Sequence, residues 1–166
     1  MILTTNRLIV RKLTLDDSPF FYELVNDTAW IKNIGDRNVQ TLDDAEDYLK
    51  DRIIPSYANL GFGFYAVVEK QTNAITGISG FIKRDELQHV DVGFAFLPEY
   101  RGKGYAFEST NALMNYGKEV LGFKTILGIA NNDNQRSHLL LEKIGLKFKA
   151  YIQLNNEDQE ISLFST

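Results

Sequence analysis

The sequence predicts an α/β domain, with a mixed, mainly antiparallel central sheet of six to seven strands and helices on both faces. Three observations predict it. Two β-rich runs, 62–69 and 75–83, are joined by the short polar segment 70–74 and read as a hairpin. A strand–helix–strand unit follows: an apolar run at 90–97, a helical pattern at 106–121 and a second run at 125–130, which the crossover sets parallel to the first. Residues 146–154 and 160–164 then close the chain as a hairpin across Asn155-Asn156-Glu157-Asp158.

The remaining elements follow in chain order. Leu8 to Arg11 reads as the first strand, and Asp16-Asp17-Ser18-Pro19 supplies an acidic cap and a first-turn proline for a helix carrying Phe20, Phe21, Leu24 and Val25. Thr41-Leu42-Asp43-Asp44 starts another helix, with Ala45, Tyr48, Leu49, Arg52 and Ile53 recurring at three and four; Pro55 ends or bends it. Pro98 stops the run 90–97. The helix 106–121 is expected to bury Ala106, Thr110, Leu113, Gly117 and Val120 or Leu121, and to end at Gly122. A further helix over 134–144 ends at Gly145.

Bulk properties narrow the function classes. At 166 residues the chain is one domain, 1–166, with a sizeable core. No cysteine occurs, which excludes disulfides, thiolate metal sites and a cysteine nucleophile; with only two histidines, no dedicated transition-metal site is expected. The net charge of −4 without a basic cluster disfavours direct nucleic-acid binding. No apolar stretch approaches the roughly 20 residues that span a bilayer, and no leader pattern opens the chain, so the expected location is the cytoplasm, with no membrane partner.

The segment Tyr100-Arg101-Gly102-Lys103-Gly104-Tyr105-Ala106 lies between a strand and a helix. Loop and first-turn amides there point one way without partners, and two glycines let the backbone approach a phosphate closely. Arg101 and Lys103 add positive charge, so a diphosphate is the natural occupant. A Walker loop fails because Gly104 follows Lys103, and the dinucleotide fingerprint fails at Phe107. The alternative is an ordinary strand-to-helix turn. No Gly-x-Ser-x-Gly elbow supports a Ser/His/Asp hydrolase, and His138, next to Ser137, points about 100° away on a helix.

The pattern Arg/Gln-x-x-Gly-x-Gly/Ala is met by Arg101, Gly104 and Ala106, and resembles the pyrophosphate loop of the GNAT superfamily of N-acetyltransferases. Asn134-x-x-Ser137 entering a helix that ends Glu142-Lys143-Ile144-Gly145-Leu146 resembles the second coenzyme motif of that superfamily. Thr5-Asn6-Arg7-Leu8-Ile9-Val10-Arg11 and Asp91-Val92-Gly93-Phe94-Ala95-Phe96-Leu97 are similar to segments of its Rim-type, ribosomal-protein branch.

The resemblance implies acetyl-coenzyme A as co-substrate and a parallel strand pair that splays to admit it. It implies coenzyme contacts from Phe94, Phe96, Leu97, Arg101, Gly102, Lys103, Gly104, Tyr105, Ala106, Asn131, Asn134 and Ser137, with the Phe96 amide polarising the thioester. The tyrosine that often protonates the departing thiolate is replaced by Leu141, so the resemblance moves that role to Ser137, which equally suits a helix-start or packing serine. Asn134 suits capping as well as pantetheine binding. Asp91 is the candidate general base or a structural carboxylate, and His89 a second titratable group or a strand-end histidine. Trp30, Ile34, Arg37, Tyr57, Phe62 and Phe64 are candidate acceptor-pocket walls. The implied reaction is acetyl transfer to a primary amine, foremost a protein or peptide N-terminus. A small amine (antibiotic, polyamine or amino acid) and a silent acyl-CoA sensor are the alternatives, and a monomer or a homodimer is compatible with each.

Overall fold

The computed structural model describes residues 1–154 and 159–166; the turn expected at 155–158 lies outside the described residues. The strands are β1 (Leu3–Thr4), β2 (Leu8–Lys12), β3 (Phe64–Glu69), β4 (Ile75–Ile82), β5 (Asp91–Phe96), β6 (Leu127–Asn131), β7 (Lys147–Ile152) and β8 (Ile161–Ser165). They form one sheet in the order β1-β2-β3-β4-β5-β6-β8-β7, antiparallel throughout except for β5 beside β6. The eight strands exceed the expected six to seven by β1, whose two residues pair with Val10 and Ile9 and are too few to show a periodicity.

The helices are α1 (Ser18–Val25), α2 (Thr28–Asn33), α3 (Leu42–Tyr48), α4 (Ile54–Asn59), α5 (Tyr105–Glu119) and α6 (Gln135–Lys143). Alternation along each strand divides the apolar side chains between two cores. On one face Phe81 and Val92 meet Leu113 and Met114 of α5 and Leu141 of α6. On the other, Ala66, Ile78 and Ala95 meet Phe21 and Leu24 of α1 with Trp30 of α2.

Several local expectations change for physical reasons. Asp17 precedes α1 but does not cap it with its side chain; its carboxylate instead accepts from the Thr14 amide at 2.9 Å and from Arg11 at 2.8 and 2.9 Å. The short helix α2 was not expected: six residues offer too little periodicity, and its clearest signal is the Asp27 cap, which accepts from the amides of Ala29 and Trp30. Pro55 stands in the first turn of α4, where no N–H is needed, after a widened π-helical turn, Leu49–Ile53. On α5 the buried stripe is Tyr105, Ser109, Thr110, Leu113, Met114 and Gly117, with Ala106 only half-buried; of Val120 and Leu121, Leu121 packs against the core while Val120, the C-cap, is 66% exposed. The end of α6 is a Schellman turn: Leu146 donates to the Leu141 carbonyl and Gly145 to that of Glu142, with Gly145 at φ 97°.

Candidate coenzyme and acyl-transfer site

β5 and β6 pair only at Asp91 and Leu127, with the Leu127 amide donating to the Val90 carbonyl at 2.8 Å, and then part. Backbone groups alternate sides along a strand, so known bonds fix the rest. Leu97 donates to the Thr76 carbonyl at 3.0 Å, towards β4, so Phe94 and Phe96 turn their amides towards the gap. On β6, Ile129 and Asn131 share the gap-facing side with Leu127, while Gly128 and Ala130 face β8. The gap opens into a cleft of ≈ 1330 Å³ running between the helices of both faces.

Of the residues expected at the coenzyme, Leu97 lies outside the cleft lining. Its amide donates to the Thr76 carbonyl and its carbonyl accepts from the Tyr100 amide at 3.0 Å. The Phe96 carbonyl is also engaged, by Arg101 Nε at 2.9 Å, but its amide faces the gap. The Asn131 carbonyl accepts from the Asn134 amide at 3.0 Å and lies 2.9 Å from His138 Nε2, leaving the Asn131 amide on the open side.

Below the gap lies the glycine loop. Gly102 and Gly104 have φ of 74° and 81°, a region L side chains rarely occupy. Gly104 is the N-cap of α5, and among the described residues no side chain caps that helix. Its first-turn amides are therefore open to an anion, with the helix dipole adding to the attraction. Gly102, Gly104, Tyr105 and Ala106 line the cleft. Arg101 also lines it, but its guanidinium is latched to the Asp27 carboxylate and the Phe96 carbonyl, so it acts as a strut rather than a free cation. Lys103 is exposed outside the cleft lining, its ammonium 5.2 Å from the Tyr100 ring centroid.

α6 brings Asn134 and Ser137 to the other wall. Asn134 Oδ1 caps the helix by accepting from the Ser137 amide at 3.3 Å, and among the described residues its side-chain nitrogen has no hydrogen-bond partner. Ser137 lines the cleft, and among the described residues its hydroxyl has no hydrogen-bond partner. Leu141 turns away into the core at 1% exposed, against Gly128, where an added Cβ would stand 2.5 Å from Leu141 Cδ2.

Asp91 stands at the closed end of the strand pair, 1% exposed, and accepts from Arg84 Nε at 3.0 Å. Burial raises its carboxyl to about 6, against the lowering pull of Arg84. His89 lies in the loop before β5, outside the cleft lining. Of the candidate acceptor-pocket walls, Trp30, Ile34, Arg37 and Phe64 line the cleft, whereas Tyr57 and Phe62 do not. Tyr57 stacks on Tyr65 with centroids 5.7 Å apart and bonds Leu13 and Phe64, and Phe62 packs edge-on against Phe81 and Phe123. Arg84 and Asp27 were not foreseen. A carboxylate one residue before a short helical stretch signals the Asp27 cap, but nothing local to Arg84 announces its partner seven residues on.

The comparisons with known proteins agree with this geometry. Residues 7–147 match the acetyltransferase (GNAT) domain model. The chain is 27% identical over 161 residues to the uncharacterised N-acetyltransferase YnaD of Bacillus subtilis, covering 95% of this chain and 91% of that one. In fold it is similar to RimL, a ribosomal L7/L12 α-N-protein acetyltransferase solved with coenzyme A, with TM-score 0.84, 16% identity, and 99% and 96% of the two chains covered. It is also similar to the spermidine N-acetyltransferase of Vibrio cholerae solved with coenzyme A and spermine, with TM-score 0.79, 18% identity, and 96% and 95% covered. An opened parallel strand pair above an uncapped, glycine-started helix and a match over most of the chain have one meaning: this protein belongs to the GNAT acetyltransferase family.

Proposed function

We propose that the protein transfers an acetyl group from acetyl-coenzyme A to a primary amine, foremost the α-amine of a protein or peptide N-terminus, as in the Rim-type branch. The observation that carries the reading is the gap between β5 and β6 leading directly to the uncapped start of α5. Gly102 to Ala106 receive the diphosphate, the gap-facing backbone of Phe94, Phe96, Ile129 and Asn131 replaces sheet partners for the pantetheine arm, and Asn134 adds its side-chain amide.

In the reaction the amine nitrogen attacks the thioester carbon and the carbon–sulfur bond breaks. The Phe96 amide stabilises the developing oxyanion. The amine's proton goes to Asp91, ionised above about pH 6. At roughly 3.3 Å per residue, Asp91 and Phe96 stand about 16 Å apart along β5, so that proton travels through water. The Ser137 hydroxyl gives a proton to the thiolate and regains one from solvent.

Charge in the cleft supports a peptide over a polyamine. Among the described residues of its lining, the carboxylates Asp27 and Asp91 are each paired with an arginine, and Arg37 and Arg136 add exposed positive charge. Among the described residues of the lining, a polycation meets no unpaired carboxylate. Release of coenzyme A thiol, followed with alanine- and serine-started peptides, free amino acids and spermidine, tests the reading. A higher kcat/KM for peptides is expected, and a preference for spermidine would overturn the acceptor assignment.

A further inference from the structure

Arg7, in the turn between β1 and β2, lies against the far side of the glycine loop. Its Nη1 donates to the Lys103 carbonyl at 2.9 Å, its Nε to Glu108 Oε2 at 2.7 Å, and its guanidinium carbon stands 4.6 Å from the Tyr105 ring centroid. Its Nη2 would lie 3.2 Å from a Cβ added to Gly104. Glu108, in the first turn of α5, also accepts from the Arg7 amide at 2.8 Å and from the Thr5 hydroxyl at 2.6 Å. Tyr105 in turn donates its hydroxyl to Glu69. A single guanidinium thus spans the loop, the aromatic ring and the helix.

The cluster is on the opposite side of the loop from the cleft. Arg7 borders a small recess of ≈ 300 Å³ with Asn6, Glu69 and Lys70, while Gly104 borders the large cleft. In a trans peptide the C=O and the following N–H point in opposite directions. A bond that pulls the Lys103 carbonyl towards Arg7 therefore turns the Gly104 N–H towards the cleft. Glycine takes either sign of φ at little cost, so the φ of 81° at Gly104 holds this peptide only weakly and leaves room for an outside hold. Arg7 supplies it through a fork that lysine cannot reproduce.

We infer that Arg7 is a positioning residue for the diphosphate of the donor: by clamping the Lys103 carbonyl from behind, it aims the Gly104 amide into the cleft without touching the coenzyme. The inference rests on the proposed acetyl-coenzyme A site and assigns a function to the Thr5–Arg7 segment that the catalytic reading leaves unused.

The test compares wild type, Arg7→Gln, Arg7→Lys and Glu108→Gln. Acetyl-coenzyme A affinity is measured by calorimetry, and acetyl-pantetheine, which lacks the diphosphate, is titrated by NMR. Arg7→Gln is expected to weaken acetyl-coenzyme A about tenfold, leave acetyl-pantetheine unchanged and shift the Gly104 amide resonance in the ligand-free protein. Arg7→Lys should fail to restore the affinity, and Glu108→Gln, which keeps the bond to Lys103, should lose less than Arg7→Gln. Equal losses for both donors would reduce Arg7 to a fold-stabilising residue, and an unchanged acetyl-coenzyme A affinity in Arg7→Gln would overturn the inference outright. Failure of wild type to bind acetyl-coenzyme A would instead overturn the coenzyme site itself, and the inference with it.

Discussion

The helices α3 and α5 begin in opposite ways. α3 has a complete capping box: Thr41 Oγ1 accepts from the Asp44 amide at 3.1 Å, and Asp44 accepts from the Thr41 amide at 2.9 Å. α5 begins at a left-handed glycine with no side chain turned back onto it. α6 lies between the two, since Asn134 satisfies the Ser137 amide while the Ser137 hydroxyl is left to the cleft. A missing side-chain cap does not by itself mark a ligand site, since α1 and α4 lack one too; what sets α5 apart is that its start, Gly104 to Ala106, lines the cleft below the β5–β6 gap.

Putting a side chain at the start of α5 is the most damaging change. Gly104→Asp forces an L residue onto φ 81° with its Cβ 3.2 Å from Arg7 Nη2, so the loop must shift and its amides lose their aim; acetyl-coenzyme A affinity should fall about a thousandfold, some 4 kcal/mol, by calorimetry. An unaltered affinity would move the diphosphate elsewhere.

At α6 the capping and catalytic groups separate cleanly. Ser137→Ala removes the hydroxyl but retains the amide that Asn134 caps, so kcat should fall about a hundredfold while Tm and donor affinity stay constant. Near-normal turnover would leave Ser137 a helix-start serine.

Asp91→Asn is expected to cost about tenfold in kcat/KM at neutral pH and to remove an acid limb with an apparent pKa of about 6. The stability effect has the opposite sign. The native carboxyl, raised by burial, keeps its proton up to about pH 6, whereas the unfolded chain releases it near 3.8, so the native state binds more protons in between. Stability therefore falls as pH rises through that window, by roughly 3 kcal/mol, and Asp91→Asn should flatten the dependence in denaturant titrations. An acid limb that survives the substitution would make Asp91 purely structural.

The smallest effect belongs to the self-satisfied helix. Thr41→Ala should cost about 1 kcal/mol of stability and leave donor affinity untouched, since the cap is far from the cleft in role and contacts.

Local signals were enough for much of this. Paired glycines after a strand marked the loop, alternation and a helical crossover marked the parallel pair, and Gly145 marked the end of α6. The uncounted strand and the short α2 lay where elements are too short for a period to register. Tyr57 and Phe62 illustrate a different limit: an aromatic side chain suits a cleft wall and a core equally, and only its neighbours decide.

By itself, the sequence determined the fold class, the glycine loop between β5 and α5 and the residue types that meet there, because each rests on patterns within short stretches of chain. The tertiary structure alone decided which groups remained free. Leu97 lost its amide to Thr76, Arg101 its charge to Asp27, and Leu141 its place at the cleft to the core; Arg7 reached Lys103 and Glu108 across 96 and 101 residues of chain. Whether a polar group faces a ligand depends on every other partner within about 3 Å of it, and long-range pairing supplies those partners.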